Sequence, residues 1–433
     1  MVMKNWRLIF YAVTLVLVFF VYSGILVEGK INLVPDNYNY FKDLALALQS
    51  GKVDIAYPAE TQAHDLVQYN NKYFLYWPPV PAVVYIPLTM MFGRNTPDAF
   101  ITAMFGMVNV LLFIILLELF VKKYNIGLGF TGITALALFW AFGTVHFYMS
   151  RVGSVWYTSQ VLAQTFLLLS IIFVLKSKSV PNILCSGIFY SLAVYTRNDL
   201  VFTIFFIAAI YFTHTRDAGN GKYSLSKIAV FLVPFVLLSL TNLAYNYSRF
   251  GNVFDNGIKY HRMDSHFTED YANHGYLSAH YLLRNFYTEV VHAPYFKKEF
   301  PFFKFDAEGY GFLWVSPLLI LSVINCGYYK NAVIKNLLRK PGVKSNCSYG
   351  DTVVMTGALA AGITVAGIIM MVMGTGWVQF GSRYSLDYQL VMVLFGLFIL
   401  KDVSIRKLVV PSALLIAGSI FMNYHGMKYY LNQ

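Results

Sequence analysis

Four arginines follow apolar runs and are the chain's clearest means of gripping an anion. They are Arg151 in His146-Phe147-Tyr148-Met149-Ser150-Arg151, Arg197 in Tyr195-Thr196-Arg197-Asn198-Asp199, Arg249 in Tyr245-Asn246-Tyr247-Ser248-Arg249-Phe250-Gly251, and Arg383 in Phe380-Gly381-Ser382-Arg383-Tyr384. A guanidinium presents a planar fork of donors that matches phosphate, so several together define an anion site. A lone Arg at a membrane boundary only snorkels, and Arg197 has a neutralising neighbour in Asp199. Asp36 stands a short loop beyond the first apolar run, just before an Ala-rich amphipathic stretch. It serves there either as a helix cap or as a general base at the membrane surface. The segment from Tyr69 to Pro81 sets Lys72 and Tyr76 among further aromatics. Such a belt is an interfacial anchor or, in a second reading, a wall that stacks on sugar and touches phosphate. Eight histidines (His64, His146, His261, His266, His274, His280, His292 and His425) fall on the same side as these residues, without the His-Glu-x-x-His spacing of a metal site. The sequence also lacks a phosphate-binding Walker loop, a Gly-x-Gly-x-x-Gly turn and a Gly-x-Ser-x-Gly elbow, which argues against nucleotide hydrolysis and serine-hydrolase chemistry.

The elements that must position these residues are apolar helices. Of 433 residues 57% are hydrophobic and only 12% charged, with 37 Phe, 33 Tyr and a mean hydropathy of +0.54. A soluble domain carries roughly 25% charged residues, so the fold class is all-α, a polytopic integral membrane protein. Eleven runs read as spanning helices: Leu8 to Leu26, Ala99 to Val121, Gly127 to Tyr148, Trp156 to Leu175, Ile183 to Tyr195, Leu200 to Thr213, Ile228 to Tyr245, Gly311 to Tyr329, Thr352 to Met373, Leu386 to Leu400 and Leu408 to Met422. The first has no small-residue cleavage site after it and reads as a retained helix. The run from Pro78 to Gly93 contains Pro78, Pro79, Pro81 and Pro87 and reads as a juxtamembrane helix that does not cross. Keeping it outside gives the inner loops 17 Lys and Arg against three acids, Asp217, Asp351 and Asp402. That asymmetry is the mark of cytoplasmic loops, so the N-terminus is placed inside. Within one transmembrane domain, 1–433, two long outer loops result, 28–93 and 246–310, rich in Tyr, His, Asp and Asn. Loops of that length are functional or disordered, and this composition favours function. The net charge of +12 is scattered over loops rather than gathered in a basic domain, so nucleic acid is not a partner. Cys185, Cys326 and Cys347 are odd in number and encode no disulfide framework.

The order of these pieces resembles the C-type, lipid-phosphate-dependent glycosyltransferases, the superfamily of the dolichyl-phosphate-mannose protein mannosyltransferases and the aminoarabinose transferases of lipid A. One spanning helix precedes Asp36-Asn37-Tyr38-Asn39-Tyr40 and an Ala-rich helix; an aromatic stretch then leads into Pro78-Pro79 and a short apolar helix ending in Phe92-Gly93. Leu192-Ala193-Val194-Tyr195-Thr196-Arg197, Tyr245 to Gly251 and Trp377 to Tyr384 fit prokaryotic members, so the likeness covers nearly the whole chain. It implies transfer of a sugar from a polyprenyl-phosphate donor to a glycan, lipid or protein acceptor at the outer face of the cell membrane. Asp36 falls at the family's catalytic base. Tyr40, Lys72, Tyr76, Arg151, Arg197, Arg249, Arg383 and Tyr384 are the expected substrate contacts. Two positions depart from the family: Tyr76-Trp77 stands where relatives often carry an acid, Lys or His, and Arg151 to Trp156 lacks a second Asp. No cofactor is assigned, and a divalent metal is left open. The alternatives are a membrane transporter or lipid flippase, which would place ionisable groups at mid-membrane where only Glu118 stands here, and a catalytically inactive relative that needs no Asp36.

Overall fold

The computed structural model describes residues 2–56, 65–216, 224–340 and 342–431; His64 and Asp217, named above, lie outside the described residues. Helix occupies each of the eleven apolar runs. Among the described residues six helices are long and apolar enough to cross a membrane: Asp98–Lys123, Val155–Lys176, Leu225–Phe250, Tyr349–Met370, Arg383–Asp402 and Ile405–Leu431. Shorter apolar helices are Trp6–Tyr22, Phe130–Phe142, Val180–Val194 and Asn198–Thr213. Leu225–Phe250 and Ile405–Leu431 leave Val233, Val236, Leu237, Val410 and Leu414 bare. An apolar face that protein does not cover is one that lipid covers.

Several runs are broken: Leu8 to Leu26 stops at Tyr22 and restarts at Ile25 after Gly24, which has φ 95°, and two others are interrupted further along. Between Gly311 and Tyr329 the chain forms Phe312–Val315, stops at Ser316 and resumes after Pro317 as Ile320–Asn336. Proline has no N–H to give to the preceding turn. Between Gly127 and Tyr148, Phe130–Phe142 ends at Gly143 and a short turn, His146–Met149, follows. Within the bundle, polar groups are paired between helices. Asn109 Nδ2 donates to the Val161 carbonyl (2.8 Å), Thr165 Oγ1 donates to Asn109 Oδ1 (2.6 Å), and the Thr102 and Thr158 hydroxyls lie 2.9 Å apart. With no water in the membrane interior to take these groups, each pairing fixes how Asp98–Lys123 sits on Val155–Lys176.

The described residues of 28–93, together with 246–310, fold over one end of this bundle as one unit. In the first, Tyr40–Gln49 packs on Val80–Phe92, and a hairpin pairs Val67–Tyr69 with Lys72–Phe74. Asn70 and Asn71 make its turn at φ 48° and 57°, a left-handed geometry that Asn tolerates and that suits the twist of a hairpin. The second segment adds a bridge from His261 to Val67. Arg262 N donates to the Leu66 carbonyl (2.9 Å), Asp65 N donates to the Arg262 carbonyl (3.0 Å), and the Tyr260 ring lies 4.7 Å from that of Tyr69. The same segment is tied to the turn after Tyr349–Met370, where Ser278 N donates to Met371 O (2.8 Å) and Met373 N donates to Tyr276 O (3.0 Å).

Candidate active site

Between these loops and the helix ends lies a cavity of about 810 Å³. Tyr38, Asp65, Tyr76 and Trp77 come to it from the first segment, His261, Asp264, Phe267 and Tyr276 from the second. Ser154, Trp156 and Tyr157 enter from the start of Val155–Lys176, and Thr196 to Asp199 from the turn after Val180–Val194. Gly374 to Val378 (without Thr375), Arg383 and Tyr384 close the wall. Of the expected contacts, the structure therefore brings together Tyr76, Arg197, Arg383 and Tyr384.

Asp36 sits one hydrogen bond behind the wall. Ser154 Oγ donates to its Oδ2 (2.9 Å) and the Tyr38 backbone N–H donates to its Oδ1 (2.8 Å), and both Ser154 and Tyr38 line the cavity. The bond to Tyr38 makes a local turn; the helix cap position is Asn39, whose side chain caps nothing. The capping alternative is thus corrected. The carboxylate that anchors this loop is Asp98, which accepts from Asp36 N (2.8 Å), Asn39 Nδ2 (2.9 Å) and Lys42 Nζ (2.7 Å).

Four expected contacts stand elsewhere. Tyr40 is fully buried in a separate apolar cluster with Phe41, Leu44 and Trp77. Lys72 lies on the hairpin, its side chain 58% exposed and 3.3 Å from Asp54. Arg151 is paired with Glu28 at 2.5 Å and abuts Met427 Sδ. Arg249 gives its guanidinium to the Leu75 carbonyl and to Asn246 Oδ1 (2.6 Å), beneath the Tyr245 and Phe250 rings. Each of these three cations is already answered by a protein group, so none is aimed at the cavity.

The two arginines that do line the cavity differ. Arg197 is held between Asp387 (2.6 Å) and Asp199 (3.5 Å). Burial opposes its charge, yet the carboxylates of Asp387 and Asp199 hold it above its ordinary value. Arg383 is 7% exposed and, among the described residues, has no carboxylate within ion-pair distance. Its guanidinium lies 5.6 Å from the centre of the Tyr157 ring and 5.1 Å from that of Tyr384, Nη2 is 3.4 Å from the Tyr384 hydroxyl, and Nε, like that of Arg197, has no hydrogen-bond partner among the described residues. The nearby acid Glu289 is fully buried and takes a hydrogen bond from Ser382 Oγ; burial pushes its carboxyl well above the usual range, against the pull of Arg383. Gly376 roofs the guanidinium at φ 88°, and a Cβ there would meet Arg383 Cζ and Nε at 3.1 Å. Only glycine meets both demands. Burial likewise keeps the Tyr76 and Tyr276 phenols protonated, so both enter the cavity as neutral hydroxyls.

The sequence reading missed Asp387, Tyr157, Tyr276, Trp156 and the pairing of Asp65 with His261. Asp387 lies four residues beyond Arg383 and was in reach of a helical count; the others are joined only by the fold. Among the described residues no three His, Cys, Asp or Glu side chains converge as metal ligands.

No family model matches the chain, and no curated protein matches it. Several solved structures match the chain at low identity. The chain is similar to the apo oligosaccharyltransferase of Archaeoglobus fulgidus, at TM-score 0.47 and 11% identity over 99% of this chain and 56% of that one. It is similar to AglB of the same organism in complex with an inhibitory peptide and a dolichol-phosphate, at TM-score 0.48 and 12% identity over 98% and 55% of the two chains. It is also similar to ArnT from Cupriavidus metallidurans bound to undecaprenyl phosphate, at TM-score 0.38 and 13% identity over 98% and 78%. The chain spans about half the length of the archaeal oligosaccharyltransferases it matches. At such scores the function must be argued from the site itself.

Proposed function

We propose that the chain is a membrane glycosyltransferase that moves a sugar from a polyprenyl-phosphate donor to a hydroxyl of a glycan, lipid or protein acceptor. The observation that carries this reading is Arg383, a buried guanidinium without a carboxylate partner among the described residues, in a cavity walled by aromatic rings. A buried charge left unpaired is expensive, and a phosphate in the cavity would answer it with the geometry Arg fits best. Trp77, Trp156 and Trp377 offer apolar faces for a sugar ring in the same space. The excess of basic residues in the other loops supports a cytoplasmic N-terminus and a cavity on the outer face, at the level of a lipid donor's headgroup.

In the proposed reaction the acceptor hydroxyl passes its proton to Ser154 Oγ in the cavity wall as its oxygen attacks the anomeric carbon, and Ser154 passes its own proton to Asp36 Oδ2. The bond from that carbon to the phosphate oxygen breaks, and polyprenyl phosphate leaves with its charge held by Arg383. One displacement inverts the anomeric configuration and needs no covalent intermediate. The test is Asp36→Asn with labelled polyprenyl-phosphate sugars and membrane lipids as acceptors. Asn keeps an oxygen for Tyr38 N, and Ser154 Oγ can turn to accept from the new amide, so the loop is retained. Donor binding should be unchanged and turnover should fall about 10²- to 10⁴-fold, the usual contribution of a general base. Turnover within a few-fold of the parent removes Asp36 from the mechanism.

A further inference from the structure

Resting on that reading of the cavity, we propose that Asp65 and His261 form a subsite that recognises a hydroxyl of a neutral sugar ring. The His261 side chain is 3% exposed yet lines the cavity. Its Nδ1 has no hydrogen-bond partner among the described residues. Nε2 lies 3.3 Å from Asp65 Oδ1, close enough for attraction but off the alignment of a hydrogen bond. A buried polar atom without a partner is costly, and native folds retain few that serve no purpose.

Asp65 is fixed from three directions. Trp156 Nε1 donates to Oδ2 (2.9 Å), Oδ1 faces the imidazole, and the backbone N–H is bonded to the Arg262 carbonyl. Its φ of 64° is a left-handed conformation that Asp adopts more readily than most residues, and strain of this kind gathers at ligand sites. A carboxylate at Nε2 favours the tautomer that carries its proton there, which leaves the Nδ1 lone pair as an acceptor. A sugar hydroxyl supplies the donor. The Tyr76 ring meets the imidazole edge-on at 4.6 Å and stacks on Trp77 at 3.8 Å, so the subsite also has flat apolar faces suited to a pyranose or furanose. Asp65 would repel an anion, and among the described residues no third ligand converges to hold a metal. The cavity thus separates an anion end at Arg383 from a hydroxyl end at His261.

The sugar could be the donor's or the acceptor's, and the experiment separates the two. The full chain in detergent is titrated with methyl glycosides of common hexoses and pentoses, read by the fluorescence of Trp77, Trp156 and Trp377 in the cavity wall. Polyprenyl phosphate, with and without its sugar, is titrated in parallel. At least one glycoside should give a saturable change, and His261→Phe should weaken it about ten-fold, the loss of one hydrogen bond. Asp65→Asn should weaken it similarly, and His261→Asn, with a polar atom near the Nδ1 position, should recover part of the loss. Affinity for bare polyprenyl phosphate should be unaltered in all three. If the subsite reads the donor, the preference for sugar-bearing over bare lipid shrinks about ten-fold in His261→Phe; if it reads the acceptor, that preference holds and the acceptor KM rises instead. Glycoside binding within two-fold of the parent in both His261→Phe and Asp65→Asn, or no glycoside binding by the parent, overturns the proposal. Failure of the transferase reading looks different: glycosides bind through His261, while polyprenyl phosphate does not bind and no sugar is transferred.

Discussion

Replacing Arg383 by Ala separates ligand binding from folding more cleanly than any other change in the cavity. The guanidinium is buried against Tyr157 and Tyr384 and has no carboxylate partner among the described residues, so removing it strands no opposite charge. The hydrogen bond from Gln160 Nε2 goes to the Arg383 backbone carbonyl and survives the substitution. What the fold loses is the packing of the stem and two ring contacts, each worth about 0.5–2 kcal/mol, offset by relief of an unpaired buried charge. What a phosphate ligand loses is a charge-assisted contact worth about 1.5–3 kcal/mol, or roughly 10- to 150-fold in affinity. The assay is titration of the purified chain with polyprenyl phosphate, with the uncharged polyprenol as control and a thermal melt alongside. The expected result is weakened binding of the phosphate by that factor, unchanged binding of the alcohol and a nearly unchanged melt. Arg383→Lys keeps the charge but not the fork and should restore only part of the affinity. Phosphate binding within two-fold of the parent in Arg383→Ala would refute the assignment of the anion end.

Arg197→Ala should behave in the opposite way. It leaves Asp387 and Asp199 buried without their shared cation, a loss of about 3–5 kcal/mol that a melt or denaturant titration will show; an unchanged melt would contradict the structural assignment. Lys72→Ala removes only an exposed pair with Asp54, so stability should change by less than about 1 kcal/mol and transfer not at all; a ten-fold loss of transfer would return Lys72 to the site. For topology, single Cys residues are placed in a background lacking Cys185, Cys326 and Cys347. Cys at Asp270 should react with an impermeant thiol reagent in intact cells, and Cys at Lys123 or Lys340 should not. The reverse pattern would mean that Pro78 to Gly93 crosses the membrane, although its helix, Val80–Phe92, is only 13 residues long.

The helices were legible because a membrane span is written locally, in a run of apolar residues long enough to cross. Their breaks at Ser316-Pro317 and Gly143 were also local, carried by residues that end helices, and a stricter reading of those residues would have found them. The site was legible only as a set of candidates. Arg151, Arg197, Arg249 and Arg383 look equivalent in sequence, each following an apolar run, and what distinguishes them is the partner that a distant segment supplies. Glu28 reaches Arg151 across the bundle, the Leu75 carbonyl meets Arg249, and Asp387 turns away from Arg383, four residues before it in the chain, to pair with Arg197 in the turn after Val180–Val194. Asp65 and His261 meet because two loops share a bridge at Val67, which no spacing foretells. An arginine near the headgroups therefore says little by its presence; the informative quantity is whether the fold provides its counter-charge. For Arg151 and Arg197 a carboxylate does, and Arg249 spends its donors on the neutral oxygens of Leu75 and Asn246. For Arg383 the fold instead provides a cage of tyrosine rings and, among the described residues, no carboxylate within ion-pair distance, and in the proposed reading the anion that completes the arrangement is the ligand's phosphate.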